Sequence, residues 1–277
     1  MYPILFQIGQ FSFSSIGVSL SLGFFICFFI CWRRLRELGF NEEKIVDSFL
    51  LASLSGFIFA RIIFALANWP RFGFNLAAWL YFPSFPGFSL WGAMSGFFVG
   101  FWFFSKKEKW SFYKLADQLV FGICLFALFA QIGMFLDGSN LGKETSALWG
   151  LYFPGDMVRR QPVSLFEAIF YLGIGILLLK IERAWRGWEW YKSQKDGFLF
   201  FLFFILLGFF KFSLAFLKPV GVYSSLVEKI VGLIIGGAFL GWGYWASGRQ
   251  LSEDFSFFKK ITLFNKREQK NGQKTKR

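Results

Sequence analysis

The stretch IGVSLSLGFFICFFICW, residues 16–32, is followed at once by RRLR, residues 33–36. Its 17 uncharged residues approach the roughly 20 that a helix needs to cross the hydrocarbon core of a bilayer. Arginines placed directly behind such a stretch favour the cytoplasmic side of a membrane. The pattern predicts a membrane-spanning helix with a cytoplasmic C-terminal end.

Six more apolar stretches of similar length follow along the chain. They cover residues 46–66, 88–104, 115–136, 163–179, 198–217 and 226–245. Of the 30 Lys and Arg, 22 follow the first, third, fifth and seventh stretches, which places these clusters on one side of a membrane. The sequence therefore predicts an all-α polytopic membrane protein with seven transmembrane helices in an N-out/C-in orientation.

The same pattern predicts the domain organisation. We expect a seven-helix membrane domain over residues 1–250 and a basic, partly disordered cytoplasmic tail over residues 251–277. In the last apolar stretch, Gly232 and Gly236, and likewise Gly237 and Gly241, are spaced by four residues, which predicts close approach of another helix.

Charge and composition exclude several functional classes. The net charge of +13 is concentrated beside helix ends, so we expect attraction to anionic lipid and no nucleic-acid partner. The chain contains no histidine, so proton transfer must use Asp, Glu, Lys, Tyr, a thiol or water. Cys27, Cys31 and Cys124 lie in apolar stretches and are predicted to be buried packing thiols. We expect no metal and no other cofactor.

Ionisable residues inside the predicted spans are candidates for function. Arg61 and Lys211 lie toward the exterior ends of their stretches, and Arg160 and Glu167 flank the start of the fifth. Cations at this depth predict a pocket for a phosphate group. In an alternative reading, Arg61 pairs with Glu167 and only holds helices together. The glycine-rich connection 137–161 is predicted to be a folded or re-entrant loop.

Three segments carry a more specific signal. Residues 87–96 read GFSLWGAMSG, residues 130–139 read AQIGMFLDGS and residues 160–167 read RQPVSLFE. In order and spacing they resemble the Gly-x-Ser-Phe-His-Gly-Gly-x-x-Gly, Gly-Arg-x-Gly-Asn-Phe-x-Asn-Gly-Glu and Arg-x-Pro-x-Gln-x-Tyr-Glu segments of prolipoprotein diacylglyceryl transferases. The resemblance covers about residues 10–245 and implies the seven-helix, N-out/C-in fold of that family.

This chain departs from the family pattern at the polar positions. Trp91 stands at the family histidine, Gln131 at the signature arginine, Met134 at its asparagine and Ser139 at its glutamate. Lys211 stands at the arginine of the sixth helix, and it keeps the charge without the bidentate fork.

The resemblance implies transfer of a diacylglyceryl group from phosphatidylglycerol to the lipobox cysteine of an exported precursor protein, in the bacterial cytoplasmic membrane. As catalytic positions it implies Glu167, Lys211, Gln131 and Trp91, of which Trp91 is not a base. As substrate-binding positions it implies Arg61, Arg160, Gly133, Asp137, Gly138 and Ser139. In this scheme Arg61, Arg160 and Lys211 hold the leaving phosphate, Gln131 donates a hydrogen bond, and Glu167 positions Arg160 or accepts the thiol proton.

Two other functions compete with transfer. A non-catalytic phospholipid-binding protein of the same fold would keep the cations and lose the family histidine and signature arginine. A small-solute transporter is the weaker alternative, because the sequence contains no inverted repeat.

Overall fold

The computed structural model describes residues 2–9, 11–74, 79, 87–153, 157–185, 195–219 and 223–246. The predicted basic tail, residues 251–277, lies outside the described residues. The elements in chain order are β1 Ile4–Ile8, β2 Phe11–Ser14, α1 Ser15–Glu37, α2 Glu42–Ala67, α3 Trp69–Phe72, α4 Leu90–Lys107, α5 Phe112–Asp137, β3 Leu151–Tyr152, β4 Arg159–Arg160, α6 Val163–Glu182, α7 Phe198–Leu214 and α8 Tyr223–Ala246.

Each of the seven apolar stretches coincides with a helix. Four of these helices, α1, α2, α5 and α6, are long and apolar enough to cross a membrane, and α7 is apolar but only 17 residues long. The chain is thus a helical, polytopic membrane protein. Two short antiparallel hairpins, β1–β2 and β3–β4, and the single-turn helix α3 were not predicted.

Polar residues fix the starts of three helices. The side chains of Ser14, Asn41 and Ser89 accept hydrogen bonds from backbone amides in the first turns of α1, α2 and α4. These bonds satisfy N–H groups that a helix leaves unpaired at its start. At the other end of α5, Gly138 adopts the left-handed conformation with φ 79°, and this stops the helix at Asp137.

The Cα packing divides the chain into two compact units, Met1–Ile176 and Leu177–Arg277. In the first unit α2 packs mainly against α4, and α1 packs mainly against α5. The α2–α4 contact is made by a stripe of three glycines on α4, Gly92, Gly96 and Gly100. A Cβ atom on Gly96 would lie 2.5 Å from the carbonyl oxygen of Ser55, and the Ser55 hydroxyl donates a 2.7 Å hydrogen bond to the Gly96 carbonyl. Only glycine permits so close an approach of two backbones.

The α1–α5 contact confirms the prediction for the cysteines, because Cys27, Cys31 and Cys124 are free and buried. A Cβ on Gly122 would lie 2.4 Å from the sulfur of Cys31. The thiols therefore fill the space that this glycine leaves between the two helices.

In the second unit α7 packs against α8. A Cβ on Gly208 would lie 2.5 Å from the amide nitrogen of Gly236 and 2.6 Å from the carbonyl oxygen of Gly232, so the first glycine pair makes the predicted close contact. The second pair makes no such contact with the described residues, because a Cβ on Gly237 or Gly241 would meet none of their atoms within 4 Å. They lie on a different face of α8 from the one that meets α7.

Candidate functional site

A buried amide–carboxyl pair joins α5 to α6. Nε2 of Gln131 donates a 2.7 Å hydrogen bond to Oε2 of Glu167. Glu167 is completely buried and Gln131 is 7% exposed. A carboxylate only accepts hydrogen bonds, so the NH₂ end of Gln131 must face it. Oε1 of Gln131 is therefore turned elsewhere, and it is buried without a hydrogen-bond partner in the described part of the chain.

Near this pair, a hydrogen bond connects the end of α5 to the start of α6. The amide of Ser139 donates to the carbonyl of Met134 at 3.0 Å, just past the left-handed Gly138. The hydroxyl of Ser164 donates to the carbonyl of Ser139 at 3.1 Å. Since Ser164 lies one helical turn before Glu167, this contact holds the first turn of α6 beside the end of α5.

Arg61 is a buried cation in the C-terminal part of α2, with 5% exposure. Its Nε donates to the carbonyl of Trp79 at 2.8 Å, and one terminal nitrogen donates to the carbonyl of Gly87 at 3.0 Å. The guanidinium also lies 5.2 Å from the ring centre of Phe72, within range of a cation–π contact. Arg61 thus fastens the connection between α2 and α4 onto α2. Its predicted pairing with Glu167 stays a prediction.

Only glycine fits at position 87, whose carbonyl accepts a hydrogen bond from Arg61. Its φ is +141°, and a Cβ atom there would lie 2.1 Å from the ring of Phe64. Two residues on, the amide of Ser89 donates to the carbonyl of Ala60 at 3.0 Å. The start of α4 is therefore fixed on α2 by backbone contacts, and the half-buried Trp91 lies in that first turn.

Arg160 lies on β4, near the end of the folded connection between α5 and α6. It forms a bridge with Glu144 and pairs in register with Leu151, and its guanidinium is 3.5 Å from the Glu144 carboxylate. The next residue, Gln161, has a buried Oε1 without a hydrogen-bond partner in the described residues. The backbone ladder confirms that the described part of this loop is folded, as the sequence predicted.

Lys211 belongs to the second unit and lies on α7. Its side chain is only 3% exposed, and its Cβ lies 3.6 Å from where a Cβ on Gly232 would be. A lysine so deeply placed requires compensation for the loss of hydration.

The structure sorts the remaining predicted site residues by their surroundings. Gly133 faces α1, because a Cβ there would lie 2.7 Å from the Cβ of Ser19, and its substrate-binding role stays a prediction. Asp137 ends α5 and is half-buried.

Sequence reasoning missed Ser164 and Gln161 as members of the site. Their position in the sequence could have identified them, because both lie in the segment RQPVSLFE and Ser164 is one helical turn from Glu167.

The family model described as prolipoprotein diacylglyceryl transferase matches residues 3–245. Phosphatidylglycerol–prolipoprotein diacylglyceryl transferase 2 of Clostridium perfringens is 28% identical over 251 residues, which cover 87% of this chain and 94% of that protein. The phosphatidylglycerol–prolipoprotein diacylglyceryl transferase of Tolumonas auensis is 27% identical over 80% of this chain and 85% of its own length. The corresponding protein of Clostridium tetani is 24% identical over 87% and 96%.

Proposed function

This chain belongs to the prolipoprotein diacylglyceryl transferase family, and from that premise we propose that it transfers a diacylglyceryl group from phosphatidylglycerol to the lipobox cysteine of exported precursor proteins. The observation that carries the proposal is the hydrogen bond between Gln131 and Glu167. It joins the two segments, 130–139 and 160–167, that resemble the family signature, and it does so in a buried position.

The reaction makes one bond and breaks one. The cysteine sulfur attacks the glyceryl carbon that carries the phosphate ester, a C–S thioether bond forms, and the C–O bond to the phosphate breaks. Glycerol phosphate leaves with the electron pair, and the thiol proton must go to a base. With no histidine in the chain, we assign that role to Glu167, a carboxyl group already held at a fixed position by Gln131.

Gln131 contributes through its unpartnered oxygen. One N–H of its amide is used by Glu167, and the buried Oε1 requires a donor. Phosphatidylglycerol carries two headgroup hydroxyls and the lipobox cysteine carries a thiol, so either substrate can supply one. We propose that Gln131 orients a donor group of a substrate, whereas the arginine of the family would bind an acceptor.

The cations have separate roles in this proposal. Arg160 binds the leaving phosphate in this scheme. It is the cation nearest to Glu167 in the sequence, and it is partly exposed on the folded loop. Arg61 acts as a positioning residue, because it holds the Gly87 carbonyl and with it the start of α4. Lys211 supplies a buried positive charge for an anionic lipid. Asp137, Gly138 and Ser139 shape the end of α5 beside the substrate.

For the topology we propose seven transmembrane helices in the N-out/C-in orientation, in the cytoplasmic membrane of a bacterium. The support is the distribution of Lys and Arg along the sequence. Cysteines introduced at Glu144, on the connection between α5 and α6, and at Lys107, at the end of α4, test it, because both native side chains are exposed. A membrane-impermeant maleimide should label Glu144→Cys and not Lys107→Cys in intact cells, and the reverse pattern would overturn the orientation.

A non-catalytic lipid-binding function is the second candidate, and one observation favours it. Trp91 occupies the position of the family histidine, and an indole N–H donates a hydrogen bond but cannot accept a proton. Such a protein would bind phosphatidylglycerol through the cations and release nothing.

The experiment that separates the two functions uses the purified protein in vesicles that contain phosphatidylglycerol. Glycerol phosphate is measured after addition of a lipobox peptide, and the matched control is the same peptide with Cys→Ser. Thiol-dependent release, with the diacylglyceryl peptide detected by mass spectrometry, supports transfer. Tight binding of phosphatidylglycerol without release with either peptide contradicts it and supports the second function.

A further inference from the structure

The connection between α5 and α6 contains a turn with unusual residues near its middle. The amide of Gly150 donates to the carbonyl of Ala147 at 3.0 Å, which closes a four-residue β-turn. Its two central positions are occupied by Leu148 and Trp149, which are 95% and 60% exposed. Gly, Pro, Asn, Asp and Ser normally occupy such positions, because they adopt turn conformations easily and are soluble.

The turn is held firmly in place. The hydroxyl oxygen of Thr145 accepts a 3.2 Å hydrogen bond from the amide of Ala147. Gly150 is buried, and a Cβ there would lie 2.8 Å from Thr145 and 3.1 Å from Arg159. The loop therefore projects its two large apolar side chains from a fixed base and does not fold them inward.

More exposed apolar residues lie on the same loop. Tyr152 is 62% exposed and Met157 is 98% exposed. The guanidinium of Arg159 lies 5.2 Å from the centre of the Tyr152 ring. Trp, Tyr and Arg beside aliphatic side chains are the residues that membrane proteins place at the level of lipid headgroups.

The position of the loop in the chain limits what can cover this surface. It begins directly after α5 and ends directly before α6, and both helices are long and apolar enough to span a membrane. A compact loop of about 25 residues held at both ends by spanning helices stays close to the bilayer surface. Its charged residues sum to +1, which suits a surface of anionic headgroups.

We propose that the tip of this loop, formed by Leu148, Trp149, Tyr152 and Met157, inserts into the boundary between headgroups and acyl chains of the adjacent leaflet. The insertion anchors the hairpin that carries Arg160 at the level of the lipid phosphates. The inference depends on the loop lying beside a bilayer, and it holds whether the protein transfers diacylglyceryl groups or only binds lipid.

The test measures the polarity around single labelled positions in lipid nanodiscs. Leu148→Cys and Met157→Cys are made with Cys27, Cys31 and Cys124 replaced by Ala, and each is labelled with the environment-sensitive dye NBD. The native cysteines are buried, so the unmodified background serves equally if the triple replacement does not fold. The control is Glu144→Cys, whose native side chain is 66% exposed on the ladder of the same loop.

We expect blue-shifted emission at both tip positions, and a quencher attached near the lipid headgroup should remove about half of that emission or more. Iodide in the aqueous phase should quench the Glu144→Cys label instead. Emission at the tip that matches the control would overturn the proposal. So would burial of the tip labels only after a lipobox peptide is added, because the tip would then be a surface for the precursor protein. Glycerol phosphate release, measured in parallel, reports separately on the transfer reaction.

Discussion

The amide of Gln131 on α5 holds the carboxyl of Glu167 on α6 through a 2.7 Å hydrogen bond, and both side chains are buried. In the family signature an arginine stands at the position of Gln131. The exchange replaces a cation with a neutral donor, so the ion pair that an arginine would form becomes a hydrogen bond to a charged acceptor. The acid keeps its partner, and the chain gains an acceptor oxygen that faces away from it.

The pair should contribute measurably to stability. Gln131→Leu removes the donor and leaves the Glu167 carboxyl without this bond, which costs about 1.5–3 kcal/mol for a hydrogen bond to a charged group. Glu167→Leu should lower the free energy of unfolding by a similar amount, and the double variant by less than the sum of the two. Unfolding in mixed micelles gives all three values. Additive losses would mean that the two side chains do not act on each other.

The carboxylate of Glu167 should be needed for turnover. Glu167→Gln keeps the shape of the side chain and a hydrogen-bonding end but cannot accept a proton. We expect the transfer rate to fall by about 100-fold, the lower end of what a positioned acid–base group contributes, while phosphatidylglycerol binding is unchanged. Glycerol phosphate release and lipid binding are measured on the same preparation. A rate equal to that of the wild type would remove Glu167 from the mechanism.

Restoring the family histidine should raise activity. Trp91 lies half-buried in the first turn of α4, on a segment fixed by backbone contacts to α2. Trp91→His places an imidazole there, and we expect the rate of glycerol phosphate release to rise about tenfold, less than a fully positioned base provides. Trp91→Phe is the matched control and should show no gain. If Trp91→His also shows none, compensation by Glu167 is the better account.

The charge of Lys211 should matter more than its shape. Lys211→Met removes the buried positive charge from α7 and should weaken phosphatidylglycerol binding about tenfold, the equivalent of about 1.4 kcal/mol. Lys211→Arg keeps the charge, restores the family residue, and should preserve or improve binding. Lys107→Met, at an exposed lysine, controls for the loss of net charge. Unchanged binding in both Lys211 variants would refute a lipid-binding role.

The glycine stripe of α4 should tolerate no added methyl group. A Cβ on Gly96 would lie 2.5 Å from a backbone oxygen of α2, so Gly96→Ala must push the helices apart. We expect a loss of about 1–3 kcal/mol in the free energy of unfolding. Gly173→Ala is the matched control, because a Cβ at Gly173 on α6 meets nothing within 4 Å. A similar loss in both variants would show that glycine itself, and not the close approach, is responsible.

The helices could be predicted from the sequence because their signal is one-dimensional. An uncharged stretch of about 20 residues has few alternatives in a membrane, where all backbone groups must be satisfied internally. The contacts of Arg61 could not be predicted in this way. Its position within an apolar stretch suggested a phosphate or a carboxylate partner. The two backbone carbonyls that its guanidinium binds could not be anticipated, because backbone atoms carry no sequence signal.

The contacts of the glycines could not be predicted from the sequence either. Gly133 was singled out for its place in the signature-like segment, and its contact with Ser19 of α1 could not be predicted from that segment. Gly232 and Gly237 have the same spacing to a following glycine, but among the described helices only the pair that begins at Gly232 meets a neighbour. Spacing predicts that a face is smooth, and only the three-dimensional arrangement shows which face is covered.

The order of helix contacts in the first unit has a consequence for synthesis. α2 packs on α4 and α1 packs on α5, so the pairs are nested and the helix made first finds its main partner last. At roughly 5–20 residues per second, α1 waits on the order of 5–20 seconds in the bilayer before α5 is complete. During that time Ser19, which is buried against Gly133 of α5 in the finished protein, has no α5 to cover it. A nascent chain stopped after α4 would hold a finished α2–α4 pair and an α1 without its main partner, which is the form that membrane quality control would meet first.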